Sequence, residues 1–327
     1  MASNYYFFHT LTTLLISPLV LGTLCVIFPF FCIFRIVLFL YRLVVSENMK
    51  GKVVLITGAS SGIGEELAYE YARRGSSIVI VARREEQLQK VAEKAMCLGS
   101  PDVLSIRADV SNVDDCKRLV DQTVNHFGRL DHLVNNAGIT SLCSINDVTD
   151  ITKFTSVMDI NFWGSVYPTY FAIPHLKKTR GKVFVNSSSV AILHPPSLSF
   201  YTASKAALIG FYETMRLELA PEISITIATL GFTDSEITRG KHLKDGVLQV
   251  ESELANNVVV LPVISSSDCA KSIVSAICRK KRYITEPKYF WVLFFAKTVC
   301  PRAFEWFNRT FMSKLCTGAL QSQAKKA

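Results

Sequence analysis

The amino-acid sequence predicts an α/β domain in three layers, with a doubly wound parallel sheet between two layers of helices. From about residue 49 to residue 287, short apolar runs alternate with amphipathic segments of helical length. Strands and helices that alternate in this way form parallel sheets with right-handed crossovers. A Gly-rich turn joins the first apolar run to the first helical segment, as in Rossmann-like nucleotide-binding domains. We therefore expect a single Rossmann-like domain after an N-terminal membrane anchor.

The N-terminal segment is the predicted anchor. Residues 1–34 contain no Lys, Arg, Asp or Glu. Their apolar stretch, residues 11–34, exceeds the roughly 20 residues that cross a bilayer. It is too long for the core of a cleaved signal peptide, so we assign residues 1–48 to an uncleaved anchor and linker. Because Pro18 and Pro29 interrupt the stretch and proline breaks helical hydrogen bonds, it could form a kinked single span or a hairpin.

The charges around the anchor predict its orientation. Positive side chains follow the apolar stretch and none precedes it. Cytosolic segments next to a membrane span carry an excess of Lys and Arg. We therefore expect the following domain to face the cytosol, on the endoplasmic reticulum, on a lipid droplet or on both. The positive residues are Arg35, Arg42, Lys50 and Lys52.

The C-terminal segment, residues 288–327, is predicted to be a basic amphipathic extension. The net charge of +9 resides in residues 279–327, which contain eleven Lys or Arg and two Glu. A basic segment favours an anionic partner, either nucleic acid or phospholipid. Eight aromatic residues lie between positions 289 and 307, and aromatic rings mixed with cations suit a membrane interface. We therefore expect a membrane partner and no nucleic acid; the alternative is a core-packing helix with a solvated basic face.

The cysteines give no sign of a disulfide framework or a metal site. Nine cysteines are scattered along the chain without a C-x-x-C pair. The histidines do not cluster at ligand spacing either. The sequence therefore predicts free thiols in a reducing compartment and no metal cofactor.

The Gly-rich turn has the form T-G-x-x-x-G-x-G at residues 57–64. In such a turn, Gly58 permits the tight bend, Gly62 lets the backbone approach a pyrophosphate, and Gly64 lets the helix pack on the strand. The helix N-terminus then offers amide donors and a partial positive charge to phosphate groups. The turn therefore predicts a dinucleotide cofactor.

The end of the second predicted strand indicates which dinucleotide binds. NAD-specific folds place an acidic residue there to bind the ribose 2′-hydroxyl. In this chain the position is Ala82, and Arg83 and Arg84 follow it. With no carboxylate to repel a 2′-phosphate and a guanidinium to bind it, NADP is favoured over NAD. The alternative is that Arg83 only begins a solvated helix.

The most specific chemical signal is Y-x-x-x-K at Tyr201 and Lys205, 13 residues after Ser188. Residues four apart share one face of a helix, so the ammonium lies beside the phenol. An unperturbed tyrosine has a pKa near ~10, and both a neighbouring cation and an oxidised nicotinamide favour the phenolate. Tyr201 is therefore the predicted general base in oxidation and general acid in reduction.

Taken together, these motifs resemble those of the short-chain dehydrogenase/reductase family over roughly residues 50–287. Within the family, the chain is similar to the 11β-hydroxysteroid dehydrogenase branch and especially to the plant steroleosins of oil bodies. One departure is Leu230-Gly231, where most of the family has Pro-Gly. The segments that carry the resemblance are GKVVLITGASSGIGEE, VARREEQL, NNAG, MDINFWGS, YTASKAAL, RYITEP and the Pro-interrupted anchor.

The resemblance implies a role for each catalytic residue. Tyr201 exchanges the proton with the substrate, and Lys205 tunes Tyr201 and binds the nicotinamide ribose. Ser188 holds the substrate oxygen and stabilises developing alkoxide charge. Asn161 organises a water of the proton relay.

The resemblance also implies the remaining cofactor contacts. Asp109 faces the adenine, the N-N-A-G sequence stabilises the sheet and lines the cleft, and Gly231 lies in a loop beside the nicotinamide amide. Members of the family usually form dimers through the helix with Y-x-x-x-K, so a homodimer is implied. The predicted cofactor-binding residues are Gly58, Ser60, Ser61, Gly62, Ile63, Gly64, Arg83, Arg84, Asp109, Asn135, Asn136, Ala137, Gly138, Tyr201, Lys205 and Gly231.

The predicted function is NADP-dependent interconversion of hydroxyl and keto groups on a hydrophobic, steroid- or sterol-like substrate at a lipid surface. Residues 232–262 are the predicted substrate lid, in which the apolar run 258–263 could cap a sterol. Two alternatives stay open. One is the same chemistry on another lipid, such as a long-chain or retinoid-like alcohol. The other is a lipid-droplet or sterol-binding scaffold with an incidental enzyme fold, against which the intact catalytic motifs argue.

Overall fold

The computed structural model describes residues 2–44, 46–244, 246–250 and 261–312. The chain divides into two compact units, Met1–Glu47 and Asn48–Ala327. The first unit contains helix α1 (Ala2–Val44), which continues through Pro18 and Pro29. Of the two arrangements that the prolines allow, the described residues form a single helix and not a hairpin.

Part of α1 is long and apolar enough to cross a membrane. This stretch, Ile16–Val37, has 22 residues and a mean hydropathy of 2.4. At the rise of an α-helix it measures about 33 Å, close to the thickness of the hydrocarbon core of a bilayer. A signal sequence near an N-terminus has the same length and composition, so this helix is suited to either an anchor or a signal.

The second unit is built on a parallel sheet. The strands of the unit are β1 Val53–Thr57, β2 Ser77–Ala82, β3 Val103–Arg107, β4 His132–Asn135, β5 Lys182–Ser188, β6 Ser224–Leu230, β7 Lys241–Lys244, β8 Val247–Val250 and β9 Tyr283–Glu286. Seven of them form the sheet, in the order β3-β2-β1-β4-β5-β6-β9. Strands β2 and β3 are added on one side of β1, whereas β4, β5, β6 and β9 are added on its other side. The direction in which strands are added therefore reverses between β1 and β4. Crevices at such reversals are where α/β sheets bind ligands.

Helices cover both faces of this sheet. One layer consists of α2 (Gly62–Arg73), α3 (Glu85–Cys97) and α9 (Ser266–Cys278); the other consists of α4 (Val113–Phe127), α6 (Gly164–Thr179) and α8 (Ser199–Glu218). The shorter helices are α5 (Thr155–Met158), α7 (Val190–Leu193), α10 (Phe290–Val299) and α11 (Pro301–Phe307). Single turns of 3-10 helix occupy Ile145–Asp147 and Ile151–Phe154, and π-helical turns occupy Asp159–Trp163 and Asn308–Met312.

The sequence of β1 explains why the sheet needs two layers. Val54 and Ile56 join the apolar core under α2, α3 and α9, whereas Val53 and Leu55 join the core under α4, α6 and α8. Successive side chains of a strand point to opposite faces, so a strand that is apolar throughout must be covered on both. The predicted three-layer, doubly wound architecture is confirmed.

The C-terminal segment begins with a helix that packs on the domain. Phe290 and Phe294 of α10 are buried. A Cβ atom on Gly231 would lie 1.8 Å from the Phe290 ring, so the absence of a side chain at Gly231 makes room for that ring. Trp291 on α10 and Trp306 on α11 are exposed. The described part of the segment therefore has one side that packs on the core and one side with exposed aromatic rings. The first matches the expected core-packing helix, and the second matches the expected aromatic surface.

Candidate active site

The loop between β1 and α2 forms one wall of a cleft at the carboxyl end of the sheet. Gly58 and Gly62 have φ angles of +67° and +60°, a region that favours glycine. A Cβ on Gly64 would lie 2.2 Å from the Gly58 carbonyl oxygen, so only glycine lets α2 start this close to the strand. Ser61, the N-cap residue of α2, accepts a hydrogen bond from Arg84 at 2.6 Å and does not cap the helix with its side chain. The start of α2 thus has the geometry of a phosphate-binding turn.

Most of the predicted cofactor residues line this cleft. They are Gly58, Ser60, Ser61, Gly62, Ile63, Arg83, Arg84, Asp109, Asn136, Ala137 and Gly138. The Gly-rich turn and the two arginines near it are the groups that the phosphates of a dinucleotide need, so the residues present fit such a cofactor.

The cleft also contains residues that the sequence did not indicate. Asn186 comes from β5, and a position at the end of a central strand is the signal that could have identified it. Four further lining residues belong to the predicted substrate lid: Ser235, Glu236, Lys241 and Leu248. The sequence did not indicate that they line the nucleotide cleft, because they reach it only through the tertiary fold.

Three predicted residues lie behind the cleft wall. The buried Asn135 side chain donates hydrogen bonds to the hydroxyls of Thr169 at 2.8 Å and Tyr212 at 3.2 Å, which ties β4 to α6 and α8. Gly64 packs against the phosphate loop from behind, and Gly231 packs against α10. All three shape the cleft through packing.

Two arginines follow β2 at the edge of the cleft. Ala82 ends the strand, which leaves no side-chain carboxylate at that position. The guanidinium of Arg83 lies 3.6 Å from the Asp109 carboxylate. Arg84 turns toward the phosphate loop, where it contacts Ser61. Both cations thus lie where the adenosine ribose of a dinucleotide would approach β2.

Tyr201 and Lys205 lie one turn apart on α8 and face the end of β5. The Lys205 ammonium lies 5.7 Å from the centre of the Tyr201 ring and donates a hydrogen bond to the Asn186 carbonyl oxygen at 2.8 Å. The Tyr201 side chain is hydrogen-bonded to Ser188. The Leu230 carbonyl oxygen, 3.2 Å from the Ser188 oxygen, is an alternative acceptor for the single proton of that hydroxyl. The fold thus brings three of the predicted catalytic side chains together.

The structure distinguishes the three consecutive serines at the end of β5. The Ser187 hydroxyl donates to the carbonyl oxygen of Lys205 at 2.8 Å, which fixes α8 against the strand. Ser189 is the residue before α7. Of the three, Ser188 is the one that interacts with Tyr201, and its catalytic role stays a prediction.

Asn161 lies in the π-helical turn before α6, and such turns are frequent at functional sites. Its buried side chain makes two hydrogen bonds with the backbone of Ile139. The Ile139 N–H donates to Oδ1 at 2.8 Å, and Nδ2 donates to the Ile139 carbonyl oxygen at 2.9 Å. Nδ2 also donates to the Ser204 hydroxyl at 2.9 Å. The side chain therefore fixes the chain just after Gly138, and the predicted relay water stays a prediction.

Burial determines the protonation of the Tyr201 and Lys205 pair. Desolvation raises the pKa of Tyr201 to about 12, although its hydrogen bond with Ser188 acts in the opposite direction. Desolvation also lowers the pKa of Lys205 to about 8. The sequence led us to expect a Tyr201 pKa lowered by the neighbouring cation; in this structure desolvation has the larger effect. Tyr201 is thus protonated at neutral pH, the form that a general acid requires.

An apolar cluster lies beside the catalytic residues. Ile139, Phe154 and Leu243 are buried together. The ring of Phe200, the residue before Tyr201, stacks on Phe154 with centroids 4.4 Å apart. The residue before Tyr201 is thus anchored in an apolar cluster.

The predicted lid is described in part. Its residues 232–244, 246–250 and 261–262 belong to the described structure, whereas the first half of the apolar run, residues 258–260, lies outside it. Within the described part, the backbone N–H of Leu243 donates to the carbonyl oxygen of Thr140 at 2.7 Å. The β7–β8 hairpin is therefore attached to the loop that follows the N-N-A-G sequence.

Side chains that could bind a metal are dispersed in the described part of the chain. There, His, Cys, Asp and Glu do not gather in groups of three or more that could hold an ion. Two histidines make other contacts: His194 with Lys297 at 2.5 Å, and His242 with the Gly240 carbonyl oxygen at 2.9 Å.

Comparison with known proteins gives consistent similarities. The family model described as short chain dehydrogenase matches residues 52–245. The chain is 52% identical over 285 residues to 11-beta-hydroxysteroid dehydrogenase 1A of Arabidopsis thaliana, which covers 86% of this chain and 82% of the relative. It is 49% identical over 302 residues to 11-beta-hydroxysteroid dehydrogenase A of Sesamum indicum, which covers 92% of this chain and 87% of the relative.

A solved structure shares the fold. A short chain dehydrogenase/reductase from Burkholderia phymatum, in complex with NAD, aligns with a TM-score of 0.69 at 24% identity. The alignment covers 77% of this chain and 94% of that one. It therefore includes most of the second unit.

Proposed function

The chain belongs to the short-chain dehydrogenase family and is an oxidoreductase, and we propose that it interconverts hydroxyl and keto groups on a steroid- or sterol-like substrate with NADP. We further propose that it works as a homodimer at a lipid surface. The observation that carries the proposal is the Ser188, Tyr201 and Lys205 cluster beside the nucleotide cleft.

The chain's own residues move the proton. A bound nicotinamide supplies or accepts the hydride. In reduction, Tyr201 donates its proton to the carbonyl oxygen, and the Ser188 hydroxyl donates a hydrogen bond to the same oxygen. The Lys205 ammonium, 5.7 Å from the ring centre, stabilises the phenolate that remains. In oxidation the steps reverse.

The preference for NADP rests on the two arginines after β2 and on Ala82. Arg83→Ala should weaken NADPH binding by about one to two decades, because charge-assisted hydrogen bonds to phosphate contribute roughly 1.5–3 kcal/mol. NADH affinity should change little, since NADH lacks the 2′-phosphate. Fluorescence titration of the purified variant with each reduced nucleotide measures both dissociation constants.

Arg107→Ala is the matched control for that titration. Arg107 is an exposed arginine at the end of the neighbouring strand β3 and does not line the cleft, so both affinities should stay at the wild-type value. If the wild type itself binds NADH more tightly than NADPH, the cofactor assignment is wrong.

The substrate class is supported by the names of the relatives and by the apolar cluster that packs against Phe200, next to Tyr201. Purified enzyme should be supplied with hydroxysteroids, sterols, long-chain alcohols, retinoid-like alcohols and short alcohols, each with NADP and with NAD. The largest kcat/KM is expected for a hydroxysteroid or sterol with NADP. A higher kcat/KM for a long-chain or retinoid-like alcohol would contradict the proposed steroid or sterol substrate but not the proposed reaction.

A homodimer is supported by exposed apolar side chains on α6 and α8. Tyr170 on α6 is 69% exposed and Leu217 on α8 is 77% exposed. A second copy would cover such surface. Sedimentation of the detergent-solubilised protein measures the oligomeric state, and a monomer at all concentrations would contradict this assembly.

Attachment to a lipid surface is supported by α1 and by the exposed aromatic side of α10 and α11. Deletion of residues 1–48 should release much of the protein from membranes, with weak binding left to the C-terminal segment. That residual binding should fall as salt rises, because surface charges are screened over about 10 Å at 0.1 M ionic strength. Flotation of the full-length protein and of the deletion variant with vesicles, at several salt concentrations, measures this membrane binding.

The orientation has a separate readout. Protease added to sealed microsomes or to isolated droplets should digest the catalytic domain without detergent, because the positive residues follow the apolar stretch. The full-length Trp291→Ala variant is the control for anchoring, since it keeps α1 and should stay on the membrane. Asn308-Arg309-Thr310 has the form of an N-glycosylation sequon. Protection from protease, or a glycan on Asn308, would indicate a lumenal domain and contradict the orientation.

A further inference from the structure

Arg84 is held by two separate parts of the chain. Its Nη2 donates to the hydroxyls of Ser60 at 3.0 Å and Ser61 at 2.6 Å, both in the phosphate loop. Its Nη1 donates to Oε1 of Glu236 at 2.7 Å, and Nη2 lies 3.3 Å from Oε2. Glu236 follows β6, 152 residues later in the chain. The Glu236 carboxylate therefore binds a guanidinium that faces the nucleotide cleft.

Glu236 is also fixed from its other side. Its Oε2 accepts a hydrogen bond from the ammonium of Lys241, the first residue of β7, at 2.6 Å. These two cations hold the pKa of Glu236 down to about 2, although desolvation acts in the opposite direction. Glu236 is therefore an anion throughout the physiological pH range.

A carboxylate and a phosphate monoester place the same demands on a guanidinium, since both accept paired hydrogen bonds from it. Ser60, Ser61, Arg84 and Glu236 all line the cleft. A 2′-phosphate that enters beside Arg84 meets a cation already bound to an acid. Either Glu236 gives up Arg84 to the phosphate, or two anions share one guanidinium.

We propose that Glu236 competes with the 2′-phosphate of NADP for Arg84 and is thereby a specificity-determining residue that reduces the discrimination between NADP and NAD. This inference rests on the proposed nucleotide site and deepens it. NAD has only a hydroxyl at this position, so it leaves the Arg84–Glu236 pair intact. NADP binding has to break the pair, and Lys241 then retains Glu236.

The test is a set of fluorescence titrations of full-length protein with NADPH and NADH. Glu236→Gln should tighten NADPH binding by about threefold to tenfold, because it removes a competing ion pair and a repelling charge. NADH affinity should stay within about twofold of the wild type, the scale of a surface substitution. Asp234→Asn is the matched control: Asp234 is an acid of the same segment, but it pairs with Arg239 and not with Arg84, so neither affinity should change.

A second pair of variants shows whether the effect acts through Arg84. When Glu236→Gln is added to Arg84→Ala, NADPH affinity should change by less than about twofold, because the group for which the anions compete is gone. An equal gain in both backgrounds would reduce the effect to general charge and overturn the proposal. Weaker NADPH binding by Glu236→Gln alone would mean that Glu236 positions Arg84 for the phosphate, which also overturns it.

The same titrations separate this inference from the proposed cofactor preference. The ratio of wild-type affinities for NADPH and NADH tests the preference. The change in NADPH affinity between Glu236→Gln and wild type tests the competition, whichever nucleotide the wild type prefers. If neither nucleotide binds the wild type, the nucleotide site and the competition are both contradicted.

Discussion

Tyr201→Phe should lower kcat by about 10²–10⁴-fold in both directions, because the variant loses the group that exchanges the proton. The fold should be intact, since the ring stays in place and the substitution removes only the hydroxyl that interacts with Ser188. NADPH affinity should change little. Steady-state assays with the preferred steroid and a nucleotide titration of the same preparation measure both quantities.

Tyr170→Phe is the matched control for this substitution. It removes a hydroxyl from a tyrosine that is 69% exposed on α6, and kcat should stay at the wild-type value. If Tyr201→Phe turned over substrate at the wild-type rate, another group would be the acid/base and the assignment of Tyr201 would be wrong.

Lys205→Met should lower kcat by about 10²-fold. At 5.7 Å from the ring centre, a unit charge stabilises a phenolate by about 3 kcal/mol at an effective dielectric constant near 20, which corresponds to about two decades in rate. Met occupies a similar volume without charge, so packing against β5 is preserved. The assay is the one used for Tyr201→Phe.

The same substitution should stabilise the cofactor-free protein. Burial lowers the pKa of Lys205 from its ordinary 10.5 to about 8. At neutral pH the charged form of Lys205 is therefore favoured more in the unfolded chain than in the folded one. Replacing Lys205 by Met should raise the free energy of unfolding by roughly 1–3 kcal/mol, which includes the loss of the hydrogen bond to Asn186. Urea denaturation of both proteins at several pH values measures the difference.

The sign of the pH dependence follows from proton uptake. Between pH 8 and 10.5 the unfolded wild type binds the Lys205 proton and the folded protein does not, so wild-type stability rises with pH relative to Lys205→Met. The advantage of the variant should be full below pH 8 and vanish toward pH 10.5. Lys94→Met is the control for the activity measurement. The ammonium of this exposed lysine lies 4.2 Å from the ring centre of Tyr69, and its loss should leave kcat unchanged. A pH-independent stability difference would contradict the assigned Lys205 pKa.

The parts of the fold that local pattern determines were predictable from sequence. Val53–Thr57 is a continuous apolar run, and it forms the strand that ends at the phosphate loop. The spacing of Gly58, Gly62 and Gly64 reflects steric requirements of that one turn, so it is readable without the rest of the chain. Tyr201 and Lys205 are four residues apart on one helix, so their proximity also follows from local geometry.

Other features depend on elements that are distant in sequence. Asn135 stands in a motif associated with the cleft, but its side chain turns inward because Thr169 and Tyr212 from two other helices offer partners. The pairing of Arg84 with Glu236 joins positions 152 residues apart. The raised pKa of Tyr201 reflects its burial, which depends on the tertiary packing around α8 and not on the Y-x-x-x-K spacing.

The most direct test of the proposed chemistry is hydride transfer itself. NADPH that carries deuterium at both positions of the nicotinamide carbon 4 should be incubated with the wild type and a ketosteroid, and the alcohol product analysed by mass spectrometry. Reduction with the deuterium appearing on the carbinol carbon, and its loss in Tyr201→Phe, is the expected result. A protein that binds NADPH and the steroid but forms no deuterated alcohol would be a binding scaffold, and the proposed function would be wrong.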